Sequence, residues 1–192
     1  NNLGRKACKQ IGKYLAVCKD LSHLRLDTIT MMDLKAASAF SDGLATNTTL
    51  EQLDLQFSYF GNQICNIICD ALKRNKGASM KLLKIGENDL SLPGLKSVVS
   101  MLRTNKSLER VDLSDNPLQA ADWNVFIRDL SFAFETNCSI VEIQLPCKVR
   151  APDSIKYSMR RNWCLADIDC QVPQLLPHFL ASIPQHHQHS VD

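Results

Sequence analysis

One short apolar phrase recurs six times along this chain, and that recurrence limits the folds open to it more than any other feature. The clearest copies begin at Leu50 and Leu108 and read LEQLDL and LERVDL. The six copies begin at residues 21, 50, 80, 108, 140 and 165, so successive steps are 29, 30, 28, 32 and 25 residues. A period of this size is typical of a solenoid, in which each unit buries its apolar face only against its neighbours.

The stretch before each phrase has the spacing of an α-helix. Counting back from one residue per unit, here termed the anchor, gives apolar residues ten, seven and three positions earlier, with Pro152 the single exception. The anchors are Cys18, Asn47, Asn75, Asn105, Asn137 and Asn162. Offsets of three and four place side chains on one stripe of a helix, whereas the end of the phrase alternates with the period of a strand. Each unit is therefore predicted to run strand, loop, helix.

Stacked units of this kind predict a curved right-handed α/β solenoid, or horseshoe. Parallel strands about 4.8 Å apart would lie on its concave face and helices on its convex face. The period, the helices and the joint Asn-x-x-Leu-x-x-Leu-x-Leu resemble the ribonuclease-inhibitor-like subfamily of leucine-rich-repeat proteins. The resemblance covers about residues 1–170. It implies a binding role, since most members are interaction scaffolds, but it does not imply that this chain inhibits a ribonuclease.

The predicted domain runs over residues 1–170, with a partial unit in 1–20 and the six units named above. Residues 171–184 keep enough apolar side chains to cover the last unit, and we expect a carboxy-terminal cap there. We expect disorder in the Gln, His and Pro tail over 185–192. Residues 1–4 match the loop that follows a strand in this family. We therefore expect a segment of a longer protein, the alternative being an amino-terminal unit truncated to a cap.

Charge and hydropathy narrow the classes of partner. The net charge is +2 with a pI near 8.2, and Lys148, Arg150, Lys156, Arg160 and Arg161 make the one local basic patch. Proteins that bind nucleic acids or anionic membranes usually carry clustered Lys and Arg residues, so neither is the expected partner. The local basic patch is interpreted as solvated surface. No apolar segment reaches the roughly 18 residues that span a bilayer. A monomeric cytoplasmic protein is expected.

Eight cysteines at first suggest a disulfide framework. Their places in the units argue against one, because Cys8 and Cys65 fall on the helix stripe and Cys18 on an anchor, where a free thiol acts as a small hydrophobe. Cys65 and Cys69 share a helix face, but no further ligands complete a zinc site. Three N-glycosylation sequons begin at the anchors Asn47, Asn105 and Asn137. A structural role for the anchor asparagine produces that motif without any glycan.

No catalytic constellation is found. The sequence has no nucleophile paired with a base, no carboxylate pair and no glycine-rich phosphate loop, so no catalytic residue, cofactor or metal is predicted. Of the five histidines, His23 lies in a phrase and the others lie in the tail region. A non-catalytic protein is therefore expected.

Protein-binding residues are expected on the concave strands. The residue between the last two apolar positions of each phrase should face that surface. These residues are Arg25, Asp54, Lys84, Asp112, Gln144 and Asp169. Their mixed signs would select a partner and set its register more than attract it from a distance. The alternative is that opposite charges on adjacent strands neutralise one another.

A second binding feature is the pair Phe57 and Tyr59 in the loop after the second phrase. Alignment of the loops places Phe57 with Glu87 and Asp115, and Tyr59 with Asp89 and Pro117, all at outward positions, whereas Phe60 should be core. Two aromatics where other units carry polar residues resemble an interface hot spot. The alternative is that they pack on a neighbouring loop or an upstream repeat.

Two further interface positions and the two tryptophans complete the predictions. Glu87 and Asp115 are included in the predicted protein-binding set because they share the loop position of Phe57. Trp163 is included because it takes the exposed joint position of Lys106 and Cys138. Trp123 lies in a unit about four residues longer than its neighbours, and we expect it to plug the gap that this insertion makes.

The layout of the last sixty residues or so is similar to the ends of repeat domains in tropomodulins and in the regulators that link myosin I to actin assembly. NOD-like receptors share the subfamily, and so do GTPase-activating proteins for Ran, whose acidic tail is missing here. The predicted function is a protein-interaction scaffold, with a cytoskeletal, actin-regulatory adaptor as one candidate. The alternative is a regulator of a GTPase or a sensing module of the NOD-like-receptor type.

Overall fold

The computed structural model describes residues 2–3, 5–28, 30–31, 33–146 and 151–171, with side chains over 6–28, 33–146 and 151–164. In order, the elements are β1 (Asn2–Leu3), α1 (Arg5–Val17), β2 (His23–Arg25), β3 (Thr30–Met31), α2 (Leu34–Leu44), β4 (Gln52–Asp54), α3 (Gly61–Arg74), β5 (Leu82–Lys84), α4 (Leu92–Leu102), β6 (Arg110–Asp112), α5 (Ala120–Thr136), β7 (Glu142–Gln144) and α6 (Asp153–Gln171). Within these ranges, no helix combines the length and apolar character needed to cross a membrane.

The described chain forms an α/β fold with a five-stranded parallel sheet and six helices, which confirms the predicted class. The strands lie in chain order, β2-β4-β5-β6-β7, and a helix lies in each connection between neighbours. Their central residues are in register, so Leu53 lies between Leu24 and Leu83. The short strands β1 and β3 form a separate parallel pair.

The core lies between the sheet and the layer of helices. The central strand residues Leu53, Leu83 and Val111 are buried, because alternation turns them toward the helices. The predicted helix stripe is buried opposite them, as Phe40, Ile68, Val98, Leu130 and Ile155 illustrate. Consecutive helices pack against one another along the chain, from α1 to α6. Every unit therefore completes its core with residues of its neighbours, as the repeat predicted.

The anchor asparagines join consecutive units. Asn47 donates from Nδ2 to the carbonyl oxygen of Leu15 at 2.8 Å, in the unit before it, while its Oδ1 accepts from the backbone N–H groups of Thr49 and Leu50 at 3.0 and 2.7 Å. Asn75, Asn105, Asn137 and Asn162 are buried in the same way. The amide thus satisfies an orphan carbonyl at the end of the preceding helix as well as its own turn. This structural role accounts for the sequons.

Helices α1 and α2 approach unusually closely at two glycines. A Cβ atom added to Gly12 would lie 2.0 Å from the carbonyl oxygen of Ala39, and one added to Gly43 would lie 2.1 Å from the carbonyl oxygen of Gly12. Both conflicts are with backbone atoms, which cannot rotate away. The absence of side chains at these two positions therefore sets the spacing of the two helices.

The sixth phrase is not a strand, contrary to the prediction. Residues 165–170 lie inside α6, together with Gln171, which the sequence assigned to the cap. Leu165 and Ile168 are three residues apart, a spacing that also suits a helix, so the pattern does not separate the two structures. Asp169 consequently has no place in a strand row.

The long fourth unit, which begins at residue 108, accommodates its extra residues by lengthening its helix. Helix α5 has 17 residues, compared with 11 in α4. Trp123 is half-buried against the core, with its ring centroid 6.2 Å from that of Phe126, in agreement with the expected packing role. The rest of the predicted cap, the predicted tail, Lys148 and Arg150 lie outside the described residues.

Candidate functional site

The outer side of the sheet, here termed the strand face, carries two rows of side chains. One is the predicted row, in which Arg25 and Gln144 are exposed and Asp54 and Lys84 are half-buried. The prediction missed the second row, which consists of His23, Gln52, Leu82, Arg110 and Glu142. Alternation of period two could have found it, because both neighbours of a buried central residue point outward. Shallow grooves of about 270 and 260 Å³ run between the rows and share Leu82 and Lys84.

Opposite charges on the strand face largely neutralise one another. Asp54 Oδ2 lies 3.9 Å from Arg25 Nε and 3.8 Å from Lys84 Nζ. Arg25 also donates to both carboxylate oxygens of Asp27, at 2.7 and 3.1 Å. Those hydrogen bonds, followed by the attraction of the charges, raise the pKa of Arg25, and the hydrogen bond from Arg25 lowers the pKa of Asp27. Around Asp54 the strand face is therefore a mixed surface with paired charges, whereas Arg110 and Glu142 form no ion pair within the described residues.

Asp112 does not face solvent, contrary to the prediction. Its side chain is buried, and its Oδ1 accepts from the N–H and the hydroxyl of Ser114 at 2.9 and 2.6 Å. Its Oδ2 accepts from Nε2 of Gln56, two units away, at 3.1 Å. Asp112 therefore fixes the start of its own loop, and it is withdrawn from the binding set.

The loops that follow β4, β5 and β6 make up a second surface, here termed the loop edge. Its outward residues are Phe57, Tyr59, Glu87, Asp89, Asp115 and Pro117. Phe57 is 39% exposed and Tyr59 is 61% exposed, whereas Phe60 is buried, so the predicted directions of all three side chains are confirmed. The alternative was that both aromatics pack on a neighbouring loop or an upstream repeat, and the exposure of Tyr59 argues against it, while Phe57 is covered in part.

Both aromatics sit on strained backbone. Phe57 has φ of 56° and Tyr59 has φ of 49°, and the aligned Glu87, Asp89 and Asp115 also have positive φ. Glycine adopts the left-handed conformation readily, and asparagine and aspartate adopt it more often than other residues do. For a bulky residue such as Phe or Tyr it is a marked outlier. This loop therefore has two exposed aromatic residues at backbone positions where glycine, asparagine or aspartate would be under less strain.

Hydrogen bonds between units hold the loop edge rigid. The N–H of Phe57 donates to the carbonyl oxygen of Gly86 at 3.2 Å, and the N–H of Glu87 donates to that of Ser114 at 2.9 Å. Beneath them, buried Asn88 donates from Nδ2 to Leu55 O at 2.8 Å and accepts from the N–H of Ser58 at 2.9 Å. The ladder of the sheet thus continues into the loops, so the backbone that carries the outward side chains is ordered in the absence of a partner.

Three carboxylates lie beside the aromatics on the loop edge. Asp89 and Asp115 are exposed and Glu87 is half-buried. Across the described part of the chain, none of the three forms an ion pair or a side-chain hydrogen bond. They differ in this respect from Asp27 and Asp54 on the strand face.

Trp163 is exposed, as predicted, but lies elsewhere in the fold. It is 62% exposed and belongs to helix α6 rather than to a joint before a strand. The neighbouring Asn162 donates to the carbonyl oxygens of Asn137 and Ile140, which precede β7. Trp163 is therefore near the end of the sheet opposite to the loop edge. The structure brings Phe57, Tyr59, Glu87 and Asp115 together and leaves Trp163 apart from them.

Arg161 has a structural role that the sequence reading missed. Its Nη2 donates to the carbonyl oxygens of Phe134 and Asn137 at 2.8 and 2.7 Å, at the end of α5. Lys156 pairs with Asp153 at 3.1 Å in the same helix. The predicted basic patch is thus partly used to cap a helix. A groove of about 450 Å³ between α5 and α6 is lined by Glu135, Tyr157 and Arg161 among others.

Among the cysteines whose side chains the structure describes, Cys8, Cys18, Cys65 and Cys69 are buried, as expected of packing residues, whereas Cys138 is exposed. Cys65 Sγ and Cys69 Sγ are 3.9 Å apart in the core, and the hydrogen bond between them, with burial, raises the pKa of Cys69. Cys18, at an anchor, has its pKa lowered by a hydrogen bond from Tyr14. Within the described residues, no group of three or more His, Cys, Asp or Glu side chains could hold a metal ion.

Comparisons with known sequences place the chain beside two kinds of protein. No model of a known protein family matches it. It is 29% identical over 124 residues to human NACHT, LRR and PYD domains-containing protein 13, covering 62% of this chain and 11% of that protein. It is 30% identical over 96 residues to mouse tropomodulin-4, covering 49% of this chain and 27% of the relative. The chain thus spans only a minor part of the curated relatives it matches.

Solved structures give a longer match at lower identity. Leiomodin-1 actin-binding site 2 superposes with a TM-score of 0.73 at 12% identity, covering 90% of this chain and 96% of that one. A tropomodulin C-terminal domain from Caenorhabditis elegans gives a TM-score of 0.72 at 12% identity, covering 85% of this chain and 97% of that one. At this identity the likeness concerns the fold, which is a parallel α/β arrangement of the same kind.

Proposed function

We propose that this chain is a non-catalytic, cytoplasmic protein-interaction module whose binding surface is the loop edge together with the adjoining strand face. In this proposal the units form the curved horseshoe of the ribonuclease-inhibitor-like leucine-rich-repeat proteins. The contact residues are Arg25, Asp54 and Lys84 on the strand face and Phe57, Tyr59, Glu87 and Asp115 on the loop edge. Trp163, at the other end of the sheet, is a separate candidate.

The observation that carries the proposal is the combination of exposure, strain and rigidity at Phe57 and Tyr59. Strained conformations persist where the surrounding structure enforces them, and they concentrate at functional sites. Aromatic side chains supply large contact areas with few rotatable bonds, and the loops that hold them are already ordered, so little entropy is lost on association. The pair therefore has the properties of an interface hot spot.

Actin is the first partner to test. The leiomodin-1 structure that shares this fold is described as an actin-binding site, and tropomodulin-4 is among the sequence relatives. Both observations concern those proteins, and they support actin binding by this chain as a hypothesis. The module would then act as an adaptor at the cytoskeleton.

A sensing module of the NOD-like-receptor type is the second candidate, because the sequence match to the human NACHT, LRR and PYD protein covers the larger part of this chain. A GTPase activator has less support. Such a regulator supplies an exposed Arg or Asn from a loop tip. The loops over 55–60, 85–91 and 113–119 contain no arginine, and their asparagines, Asn88 and Asn116, are buried.

The test compares two double variants in binding to fluorescently labelled monomeric actin. Phe57→Ala with Tyr59→Ala should lower the affinity by about thirtyfold or more, because truncated hot-spot residues typically cost at least 2 kcal/mol. The matched control is Phe132→Ala with Tyr157→Ala, which removes a Phe and a Tyr of similar exposure, 58% and 45%, from helices α5 and α6. The control should bind like the unaltered chain.

Each result has a distinct meaning. Thermal unfolding of both variants must match the unaltered chain to within a few degrees, so that lost binding reflects the surface and not the fold. If the unaltered chain does not bind actin, actin is excluded as the partner. If actin binds equally to the chain and to the Phe57/Tyr59 variant, the loop edge is excluded as its binding surface.

A further inference from the structure

We infer that the segment bound at the loop edge is basic and aliphatic, with Lys or Arg side chains against Glu87, Asp89 and Asp115 and apolar side chains against Phe57 and Tyr59. This inference rests on the proposed function, since it names the chemistry of the partner at that same surface. It concerns a protein segment and not a nucleic acid or a membrane, because the loop edge presents carboxylates that would repel phosphates.

The carboxylates of the loop edge differ from Asp27 and Asp54 on the neighbouring strand face, and they are set apart from other exposed acidic residues by lying together on adjacent loops beside two aromatic side chains. Asp54 has two basic neighbours within 4 Å and Asp27 is held by Arg25. Lys81 and Glu109 pair at 2.6 Å, in the same two units whose loops carry Glu87 and Asp115. The carboxylates of Glu87, Asp89 and Asp115 instead have no ion pair within the described residues. Their charge is available to a partner.

The spacing of these groups follows from the stacking of the units. Backbone hydrogen bonds join the loop of Phe57 to Gly86 and the loop of Glu87 to Ser114, so adjacent loops stack side by side. Parallel strands lie about 4.8 Å apart, and we expect the loops that continue them to keep a similar interval. An aromatic pair followed by two acidic loops therefore gives an apolar end and an anionic end on one rigid strip.

Such a strip selects its partner by complementarity. An incoming Lys or Arg gains an ion pair at each acidic loop without displacing an existing partner of that carboxylate. An incoming Glu or Asp would place like charges together, which costs affinity and slows association. The aliphatic stems of Lys and Arg also suit contact with aromatic rings. A basic, aliphatic segment is the chemistry that satisfies both ends of the strip.

The experiment titrates two designed peptides into the isotope-labelled 192-residue chain and follows backbone amide shifts by NMR. One probe is a short amphipathic peptide of leucine and lysine, and the other has glutamate in place of lysine. We expect the lysine peptide to shift the amides of the loop edge and the glutamate peptide to leave them unchanged. Glu87→Gln, Asp89→Asn and Asp115→Asn together should raise the Kd of the lysine peptide about tenfold, the combined effect of three surface ion pairs.

The control variant neutralises three exposed carboxylates elsewhere, by Asp42→Asn, Glu51→Gln and Glu135→Gln. It raises the net charge of the chain, which is +2, by the same three units as the loop-edge variant, so a loss of binding in this variant would indicate general electrostatic attraction and overturn the inference. Equal shifts with both peptides, or shifts confined to other surfaces, would overturn it too. Because the peptides replace actin, this test can still be made if the chain does not bind actin. If actin binds equally well to the chain and to the variant that lacks the three carboxylates, the inference fails while the proposed function stands.

Discussion

At the scale of single residues, Tyr59 combines unfavourable backbone geometry with an exposed ring. Its φ of 49° is disfavoured for an aromatic residue but accessible to asparagine. Tyr59→Asn should therefore raise the free energy of unfolding by about 0.5 to 1 kcal/mol, because part of the left-handed penalty is relieved. The same substitution should weaken partner binding. Urea unfolding and a binding titration on one preparation measure the two effects.

A comparison with Asp89→Asn isolates the geometric cause, because Asp89 holds the aligned position with φ of 55°. Aspartate already tolerates that conformation, so we expect a much smaller gain in stability there. A loss of stability in Tyr59→Asn would mean that the ring contributes packing that outweighs its strain. The strain argument for a functional loop would then fail.

At the scale of elements, the two glycines between α1 and α2 offer a sharp test of packing. Alanine favours a helix over glycine by about 1 kcal/mol, so Gly12→Ala would stabilise an isolated helix. The added Cβ would lie 2.0 Å from the carbonyl oxygen of Ala39, and the helices must separate to admit it. Overpacking typically costs about 1 to 3 kcal/mol or more, and we expect a net loss of stability. Chemical denaturation measures it.

Gly77→Ala is the matched substitution, since the nearest atom to its new Cβ is a methyl group of Thr48 at 3.1 Å, which can rotate aside. Its effect should stay below about 1 kcal/mol. If Gly12→Ala proves stabilising, α1 and α2 are farther apart in solution than this structure places them.

The strands and helices could be predicted where the strand periodicity of two residues and the helical spacing of three and four residues recur at the same places in successive units. Leu53 and Leu83 occupy one face of a strand at period two, while Phe40 and Ile68 recur at helical offsets, and each pattern repeats. The sixth phrase misled the prediction because its apolar spacing fits a helix equally well. Two residues after the anchors Asn47, Asn105 and Asn137 stand Thr49, Ser107 and Ser139, whose hydroxyl groups bond at the turn. Cys164 takes that place before Leu165, and the helix continues.

At the scale of the whole molecule, stability should be distributed unevenly along the units, because each is supported by the neighbours it has. Leu83, at the centre of the sheet, is fully buried, whereas its counterpart Leu24 in β2 is only partly buried in the described structure. Leu83→Ala should cost about 3 to 4 kcal/mol, and Leu24→Ala about 1 to 2 kcal/mol. Urea denaturation of the two variants gives the comparison, with the slope of the transition as a check on cooperativity.

Equal costs at the two sites would contradict this gradient. They would indicate that β2 is as well covered in solution as β5. Hydrogen exchange provides an independent measure, since amides of β4, β5 and β6 should exchange more slowly than those of β2 if stability falls toward that edge.

The candidate site was predictable in part. Aligning one loop with the next was enough to predict that Phe57 and Tyr59 point outward, because side chains at equivalent positions in stacked units point in the same direction. The same reasoning failed for Asp112, which accepts a hydrogen bond from Gln56 two units away. A contact between units depends on two side chains together, and no single-unit pattern contains it. For the same reason the sequence did not decide whether Asp54 pairs with Arg25 and Lys84 or remains free for a partner.

The anchor asparagines have a consequence for how such a chain can evolve. Asn47, Asn75 and Asn137 direct their amides to main-chain carbonyls of the preceding unit, at Leu15, Leu44 and Leu102. Every amino acid supplies a main-chain carbonyl, so the hydrogen bond from the anchor amide does not depend on which side chain the preceding unit carries at that position. As far as this joint is concerned, mutation can therefore change the exterior of one unit, or duplicate a whole unit, without a compensating change in the neighbouring unit. New specificities can arise at a single loop while the rest of the chain is inherited unaltered.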